Sequence, residues 1–381
     1  MSQRITSQAN GSIQLANHAT VRPLVPELVS VEAAGLRCLA CARRCLLREH
    51  ATGYCTAIAC RCGALMSLAY GVIAEASVTP IESKPVYHYR PGARVLSLGG
   101  LGCNLRCRFC QNWEIAFRDA RDAGGLRAPN LAPEDAVALA IRERCVGIAW
   151  TFNEPSISPM YVRDTAQLAH EVGLFTVFVT NGLLTPEALS WLGPWLDVYR
   201  VDIKSLDGAF YRRIGATSQG TGALPLAARV QREYGAHVEV VTNLMPGLND
   251  ADEHARRLAA TIYERLGAET PWHLTSYVPY AFMTDVPPTP PATLERIRRV
   301  ALSEGLQFVY TDNPKTPDAA HTICPDCGTL LVERTAYGVD IRALGTDGRC
   351  ASCGRALSIV FASAEQGTTA EDMDKTALTE E

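Results

Sequence analysis

The chain has 381 residues, which at the usual domain size suggests two or three folding units. Hydrophobic residues make up 47% and charged residues 20%, a composition that excludes disordered and fibrous proteins. The formal net charge of -4 argues against a dedicated binder of nucleic acid or of anionic membranes, which would usually be basic. Because no apolar run is long enough to span a membrane and the N-terminus shows no export signal, we expect a cytoplasmic protein.

The predicted organisation along the chain has five parts. Residues 1–30 show little apolar periodicity and are predicted to form a flexible lead-in. The other parts are a cysteine-rich module with a strand and loop extension at 31–92, a barrel at 93–315, a zinc-ribbon-like module at 320–360 and an acidic, disordered tail at 362–381.

The chain contains fourteen cysteines, which is unusual for its length. In a reducing compartment they indicate metal ligation or catalysis rather than structural disulfides. Most of them fall into three groups, which are Cys38, Cys41, Cys45 and Cys55, then Cys103, Cys107 and Cys110, and finally Cys324, Cys327, Cys350 and Cys353. The others are Cys60, Cys62 and Cys145. Scattered core thiols would not cluster in this way.

The predicted barrel alternates apolar runs of strand length with amphipathic segments of helix length. The runs are 94–100, 146–150, 174–180, 196–203, 237–243, 272–277 and 306–310, and helix candidates are 133–144, 158–172, 186–193 and 291–304. This alternation indicates an α/β fold with a parallel sheet, either open and doubly wound or closed into a barrel. Polar or glycine-bearing motifs follow six or seven successive runs, which favours the mouth of a complete or partial barrel over a single switch point.

The sequence GGLGCNLRCRFCQNWE follows the first of these runs, at residues 99–114. Its cysteines, Cys103, Cys107 and Cys110, have the spacing C-x3-C-x2-C. Three thiolates can hold a [4Fe-4S] cluster, which normally takes four, and would leave one iron open. The alternative is a zinc ion or a structural cluster whose fourth ligand comes from elsewhere in the chain.

This motif, with Phe109 before its third cysteine, resembles that of the radical S-adenosylmethionine (radical SAM) superfamily. The resemblance implies that the open iron binds the amino and carboxylate groups of S-adenosylmethionine. It also implies that one electron cleaves the sulfonium to methionine and a 5′-deoxyadenosyl radical. The protein would position the cofactor and exclude water and oxygen.

Polar residues after later strands suit the positioning of such a cofactor. Asn153 and Glu154 in TFNEP could accept hydrogen bonds from the coordinated amino group. Asp202 in VDIK offers an acceptor for a ribose or an amine, and Lys204 offers a positive charge for a carboxylate. Asn181 in VTNG completes the predicted cofactor-binding set. For each residue alone, a helix cap or a solvated loop is an equally good interpretation.

Longer segments sharpen the resemblance. They are TPIESKPVYHYRPG (79–92), LSLGGLGCNLRCRFCQNWEI (96–115), AWTFNEP (149–155), VTNG (179–182), VDIK (201–204), MPGLND (245–250) and the closing CPDCG. Together they resemble the AmmeMemoRadiSam system radical SAM enzymes, relatives of the pyruvate formate-lyase activating enzymes, from about Cys38 to Gly354. The resemblance implies a partial (βα)6, TIM-like barrel of the radical SAM type. A [4Fe-4S] cluster and S-adenosylmethionine are the implied cofactors.

Three residues depart from the pattern of that family. Thr79 stands where the family has Asp, Phe152 where it has Tyr, and Ile58 where it has Arg. The change at Phe152 removes a hydroxyl that might contact substrate, so the substrate is not implied by the resemblance. Lysine is rare in this chain, and two of its four lysines, Lys84 and Lys204, lie inside these motifs.

The flanking cysteine groups indicate further metal sites. The C-terminal group forms two C-x2-C turns, each followed by glycine, and predicts a closed structural zinc site. The N-terminal group has the spacing C-x2-C-x3-C-x9-C, with which zinc and an auxiliary iron-sulfur cluster are equally compatible. Cys60 and Cys62 could add or replace ligands there. Cys145 is predicted to be a buried, inert thiol, and His88 and His273 are interpreted as structural histidines.

The sequence therefore predicts an enzyme that abstracts hydrogen from an unidentified substrate, either a small molecule or a protein, and that needs a low-potential electron donor. One alternative is a non-enzymatic adaptor that carries zinc and iron-sulfur centres. Another is an activase that acts on a partner glycyl-radical enzyme. Nucleic acid and membranes are not expected as partners, because the chain is acidic and has no basic stripe.

Overall fold

The structure is a computed structural model that describes residues 21–118, 130–216, 222–312, 317–336 and 338–361, together with the backbone of Gln3–Arg4. Most of the predicted lead-in at 1–30 and the whole predicted tail at 362–381 lie outside the described residues. Within these ranges, no helix combines the length and the apolar character needed to cross a membrane.

Short antiparallel strands form the N-terminal part of the chain. They are β1 (Gln3–Arg4), β2 (Arg22–Pro23), β3 (Val29–Glu32), β4 (Gly35–Cys38), β5 (Leu46–Leu47), β6 (Ile58–Arg61) and β7 (Ala64–Ser67). Strands β3, β4 and β5 make one sheet, and β2, β7 and β6 make another. Buried side chains of this part of the chain, such as Leu28 just before β3, Ile58 on β6 and Leu65 on β7, belong to the same hydrophobic core as the first barrel strands. The N-terminal module therefore packs directly on the barrel.

The central sheet contains the strands that hold the site. They are β8 (Glu75–Pro80), β9 (Arg94–Gly99), β10 (Gly147–Trp150), β11 (Phe175–Thr180), β12 (Val198–Asp202), β13 (His237–Leu244), β14 (Trp272–Ser276) and β15 (Val309–Thr311). Strands β9 to β15 are parallel and neighbour one another in chain order, while β8 is antiparallel to β9 and β1 to β8. The predicted runs are all strands of this sheet.

Helices follow the parallel strands and cover the outside of the sheet. They are α1 (Trp113–Ala116), α2 (Pro133–Arg142), α3 (Pro159–Glu171), α4 (Pro186–Leu192), α5 (Gly208–Arg213), α6 (Ala223–Tyr234), α7 (Asp252–Leu266) and α8 (Pro291–Ser303). Proline starts α2, α3, α4 and α8, where its fixed φ suits the helix and no backbone donor is lost. In α6, the buried residues Leu224, Ala227 and Ala228 lie on one face.

The strand order identifies a partial barrel. A doubly wound sheet reverses its strand order at a switch point, whereas β9 to β15 run in chain order without reversal. In the described part of the chain, β15 pairs with β14 but not with β9, so the barrel is not closed. The predicted α/β partial barrel is confirmed, and β15 extends the six implied repeats by one parallel strand.

Residues 81–89, which we refer to as the plug segment, fill the barrel interior at the N-terminal ends of the strands. Ile81 and Val86 are fully buried and pack with Val95, Phe175 and Val198, which lie near the starts of their strands. The sequence predicted a proline-punctuated loop here. The structure adds that the loop runs inside the barrel, so its polar side chains can face the site above it.

A buried carboxylate fixes the plug segment from below. Glu239 on β13 accepts hydrogen bonds from the backbone N–H groups of Tyr87 at 2.8 Å and His88 at 2.7 Å. Its oxygens also lie 2.9 Å from Nε2 of His237 and 2.5 Å from Nε2 of His273. Burial raises the pKa of Glu239, but the bonds to these two histidines outweigh it and hold that pKa well below its usual value.

The C-terminal module holds the plug segment from outside the barrel. It contains the antiparallel strands β16 (Thr322–Ile323), β17 (Leu330–Thr335) and β18 (Gly338–Ile341). Arg334 is buried and donates to the carbonyl oxygen of Tyr87 and to Oγ1 of Thr322, both at 2.7 Å. The N–H of Val360 donates to the carbonyl oxygen of His88 at 2.8 Å. The plug segment is thus fixed on two sides.

Candidate active site

The cysteines of the central motif lie on the loop that follows β9. Gly102 precedes them with a left-handed φ of 86°, and a Cβ there would lie 2.2 Å from the carbonyl oxygen of Cys55. Cys103, Cys107 and Cys110 line one cavity of about 550 Å³ at the C-terminal ends of the strands. Barrels of parallel strands carry their active sites at this end.

The donor set of this cavity, three thiols on one loop, suits an iron-sulfur cluster. Within the described ranges, they do not form a group of ligand atoms that all lie within 4.8 Å of one another, as four thiolates around one ion would. A [4Fe-4S] cluster spreads its thiolates over different irons, so wider spacing is expected. No other cysteine and no histidine of the described residues lines this cavity. The site therefore fits a cluster with one iron left for another ligand.

Burial determines the acidity of these thiols. Desolvation raises the pKa of Cys107 to about 11, although the nearby charge of Lys204 acts in the opposite direction. Desolvation likewise raises the pKa of Cys103 and of Cys110. Thiolates at these positions consequently require a positive centre bound to them.

Glu154 ties the ends of two strands to the cysteine loop. Its Oε1 accepts from Oγ1 of Thr180 at 2.8 Å and from the N–H of Ser156 at 3.1 Å, and its Oε2 accepts from the N–H of Asn181 at 2.8 Å. Burial raises its pKa, and these bonds offset part of that rise. Nδ2 of Asn181 donates to Oδ1 of Asn104 at 2.7 Å, so the end of β11, to which Glu154 is bonded, contacts the loop.

Asn153 braces the cysteine loop directly. Its Oδ1 accepts from the N–H of Gly100 at 3.1 Å, and its Nδ2 donates to the carbonyl oxygen of Gly102 at 2.9 Å. The sequence predicted Asn153 to be an acceptor for the cofactor's amino group. The structure places Asn153 on the same cavity, where these two bonds position the loop and leave each amide atom room for one further bond.

Asp202 and Lys204 form a charged cluster with Arg200 at the end of β12. Asp202 lies 2.9 Å from NH1 of Arg200 and 3.7 Å from Nζ of Lys204. Burial raises the pKa of Asp202, but the two cations outweigh it and lower that pKa below its usual value. Asn249 of the MPGLND segment donates to the carbonyl oxygen of Lys204 at 2.8 Å and so fixes the end of the strand. Two cations share one carboxylate here.

Lys84, on the plug segment, is a site residue that the predicted cofactor-binding set did not include. It is 6% exposed, lines the cavity and points its Nζ toward the Phe152 ring, 4.9 Å from the ring centroid. Burial, together with the charge of Arg200, lowers its pKa to about 8. The rarity of lysine and its place in PIESKP were the signals in the sequence, but the position inside the barrel was not readable from them.

The CQNWE and TFNEP segments meet in the structure. Nδ2 of Asn112 donates to the carbonyl oxygen of Phe152 at 2.8 Å. Phe152 has a left-handed φ of 69°, and a Cβ at Gly99 would lie 2.8 Å from it. The bond therefore fixes an unusual backbone conformation beside the cysteine loop, and it places the Phe152 ring opposite Lys84.

The C-terminal cysteines gather around one point. Sγ of Cys324 lies 3.7 Å from that of Cys353, Sγ of Cys327 lies 3.6 Å from that of Cys350, and all four lie within 4.8 Å of one another. A tetrahedral ion with metal–sulfur bonds of about 2.3 Å would place its thiolates about 3.8 Å apart. A left-handed glycine closes each turn. The predicted cysteine cluster is confirmed, with the spacing of a single metal ion.

The N-terminal cysteines have a different arrangement. They line a second, smaller cavity whose other walls include apolar side chains, and the lining includes Cys38, Cys41, Cys45, Cys55, Leu47, Ile58 and Ile157. In the described residues their sulfur atoms do not show the single-ion spacing of the C-terminal group. Cys60 and Cys62 do not line this cavity and instead contact Glu49. Cys145 is buried away from both cavities.

Comparison with known proteins agrees with this site. The sequence profile of the Radical SAM superfamily matches residues 98–259. An uncharacterized protein of Methanocaldococcus jannaschii is 35% identical over 328 residues, which are 86% of this chain and 96% of that protein.

Solved structures of low sequence identity also match. A domain of a pyruvate-formate lyase-activating enzyme from Bacteroides vulgatus has a TM-score of 0.38 and 15% identity, covering 43% of this chain and 98% of that chain. A radical SAM methyltransferase from Sphaerobacter thermophilus has a TM-score of 0.43 and 18% identity, covering 68% of this chain and 73% of that chain. On the profile and the curated relative, the chain belongs to the radical SAM superfamily and is an enzyme of that class rather than a non-enzymatic adaptor.

Proposed function

We propose that this protein is an AmmeMemoRadiSam-type enzyme that reductively cleaves S-adenosylmethionine and abstracts hydrogen from a substrate bound in the same cavity. The observation that carries the proposal is the cavity lined by Cys103, Cys107 and Cys110, to which no further cysteine or histidine of the described residues contributes. When bound, the cluster and S-adenosylmethionine supply a 5′-deoxyadenosyl radical by one-electron cleavage. A low-potential electron donor is the partner that this chemistry requires.

The residues around the cavity have separate tasks in this proposal. Asn153 keeps the cysteine loop in place through its bonds to Gly100 and Gly102. Glu154, Asn181, Asp202 and Lys204 orient the cofactor. All four line the cavity, and their bonds to neighbouring strands fix their positions before anything binds. Apolar walls and the plug segment limit the access of water to the reacting atoms.

The C-terminal cysteines hold a zinc ion in this proposal. The sulfur separations of 3.6 and 3.7 Å match four thiolates around one tetrahedral ion. This site lies in a module that contacts the plug segment and not the cavity, so we assign it a role in folding.

The N-terminal cysteines hold a further metal centre in this proposal, either a zinc ion or an auxiliary iron-sulfur cluster. Their sulfur atoms line one small cavity, and in the described residues they are not grouped as those of the C-terminal set are. The module also touches the cysteine loop, because the carbonyl oxygen of Cys55 packs against Gly102 and Arg43 donates to the carbonyl oxygen of Asn104. We therefore expect about four iron atoms from the central motif and about one zinc from the C-terminal set, to which the N-terminal set adds either a second zinc or about four more iron atoms.

The test uses anaerobically reconstituted protein. With dithionite and S-adenosylmethionine, the wild type forms 5′-deoxyadenosine, and Cys107→Ala reduces this to the background rate and lowers the iron content. Cys145→Ala removes a buried thiol outside both cavities and is the matched control, with activity and iron unchanged. If Cys107→Ala keeps its full iron content and still forms 5′-deoxyadenosine, the assignment of the site is wrong.

A further inference from the structure

We propose that Lys84 and Arg200 form a subsite in the cavity that binds an oxyanion of the substrate, either a carboxylate or a phosphate. The inference rests on the proposed function, because it names the chemistry of the substrate that the same cavity takes. It assigns a task to the plug segment, which carries Lys84 into the barrel.

Lys84 is a buried cation whose ammonium group faces the cavity. The residue is 6% exposed, and no carboxylate of the described residues lies within 4.0 Å of its Nζ. Its Nζ lies 4.9 Å from the centroid of the Phe152 ring, which lends only a weak cation–π attraction. Buried charges are normally paired, because an isolated ion in a protein interior is unfavourable. A counterion from outside the chain would complete this arrangement.

Arg200 lines the same cavity and brings a second positive charge to it. Its NH1 binds Asp202 at 2.9 Å, but its Nε is buried and has no hydrogen-bond partner among the described residues. Its charge is close enough to Lys84 to lower the pKa of that lysine. Two cations that repel each other in a cavity are an arrangement that an oxyanion stabilises, because it bonds to both.

The carboxylates of the cavity do not supply this counterion. Glu154 accepts hydrogen bonds from Ser156, Thr180 and Asn181. Asp202 forms ion pairs with both Arg200 and Lys204. Asp312 accepts from the N–H and the Oγ of Ser276 at 3.0 and 2.9 Å. Each of these carboxylates already has partners, and none of them pairs with Lys84 in the described part of the chain.

The plug segment makes this subsite rigid. Glu239 binds the N–H groups of Tyr87 and His88, only a few residues after Lys84, and Arg334 binds the carbonyl oxygen of Tyr87. A cation fixed in this way binds an anion without first losing side-chain freedom. Lys84 and the cysteine loop line one cavity, so a substrate held at Lys84 lies in the space that the radical chemistry reaches.

The experiment titrates acetate, succinate and inorganic phosphate with the cluster-loaded protein at constant ionic strength. Binding is followed by the NMR line widths of the ¹³C-labelled carboxylates and of the ³¹P signal of phosphate. We expect saturable binding of at least one probe by the wild type and a loss of about tenfold or more in affinity in Lys84→Met. Lys84→Arg should retain most of the affinity. Arg229→Met, which removes an exposed cation from α6, is the control and should bind like the wild type.

Three outcomes would overturn the proposal. They are no saturable binding of any probe by the wild type, equal binding by Lys84→Met, or a selective loss of S-adenosylmethionine affinity in Lys84→Met, which would assign Lys84 to the cofactor's own carboxylate. The relative affinities of the probes separate a carboxylate from a phosphate. Repeating the titration with Cys103→Ala/Cys107→Ala/Cys110→Ala, which should still bind the anion, separates failure of this subsite from failure of the proposed function.

Discussion

The plug segment carries one buried charge and packs against another, and the barrel treats the two in opposite ways. Below the segment, Glu239 is fully buried and bonded to two backbone N–H groups and two histidines. On the upper side of the segment, its own Lys84 is almost as buried but has no carboxylate within reach in the described part of the chain. A buried charge whose hydrogen-bond partners lie in the same chain stabilises the fold. A buried charge without such partners lowers stability but can bind a ligand of opposite charge.

The strongest test of this comparison is Glu239→Gln. The amide would place N–H groups against donors that now bind a carboxylate, so we expect a loss of about 3 to 5 kcal/mol in the free energy of unfolding. Urea denaturation of the wild type and the variant measures it. The control is Glu233→Gln, an exposed partner of Arg229, for which the change should stay within about 0.5 kcal/mol.

A loss below about 1 kcal/mol in Glu239→Gln would show that the barrel does not depend on this carboxylate. The pH dependence provides a second check. Because the folded pKa of Glu239 is depressed, its stabilising contribution is present above its unfolded pKa of 4.5 and disappears as the pH falls toward the folded value. The difference between wild type and Glu239→Gln should therefore shrink on acidification below pH 4.5.

Lys84→Met should change the free energy of unfolding in the opposite direction, toward higher stability. Burial and Arg200 lower the pKa of Lys84 from 10.5 to about 8, so the charged side chain costs about 3 kcal/mol of stability at neutral pH. Methionine fills a similar space without charge, and the variant should be more stable by about that amount while losing anion affinity. Urea denaturation at pH 7 measures the change. A destabilised Lys84→Met would show that the ammonium is paired in the folded protein.

The difference in stability between the wild type and Lys84→Met should vanish in alkaline solution. The folded pKa of Lys84 is lowered, so between about pH 8 and 10.5 the unfolded chain binds the proton and the folded chain does not. The wild type therefore gains stability relative to Lys84→Met as the pH rises through this window, and the two should be equally stable with respect to this group above pH 10.5. A difference that stays constant from pH 7.5 to 10.5 would place the pKa outside the window.

The sequence predicted the frame of the site but not the position of Lys84. Apolar runs such as 146–150 and 174–180 identify buried parallel strands, because strands covered on both faces must be apolar throughout. Their C-terminal ends bring Glu154, Asn181 and Asp202 together by topology alone. The plug segment has no such periodicity, and its path through the barrel depends on Glu239, more than 150 residues away.

The hydrogen-bond partners of single polar residues were likewise not readable from the sequence. Asn153 was predicted to face a cofactor because of its residue type and its place after a strand. In the structure its amide braces Gly100 and Gly102, contacts that depend on how the loop folds back. The two flanking cysteine groups likewise have similar ligand counts in the sequence, whereas the grouping of their sulfur atoms is set by tertiary packing and differs between the two groups in the described residues.

The smallest expected effect concerns Asn112, whose hydrogen bond links the surroundings of Lys84 to the cysteine loop. Asn112→Ala removes the hydrogen bond to the carbonyl oxygen of Phe152 and should cost about 1 kcal/mol of stability, as measured by urea denaturation. Without this bond the left-handed backbone of Phe152 is less well held, and the ring moves relative to Lys84.

A weaker contact with the Phe152 ring changes the environment of the Lys84 ammonium group but leaves the positive charge that binds the anion. Asn112→Ala should therefore alter the affinity for an anionic probe by no more than about threefold, far less than Lys84→Met. If both variants lose anion binding equally, the Phe152 ring and not the charge of Lys84 determines anion binding. The contrast between Glu239 and Lys84 would then not be one between a paired and an unpaired charge.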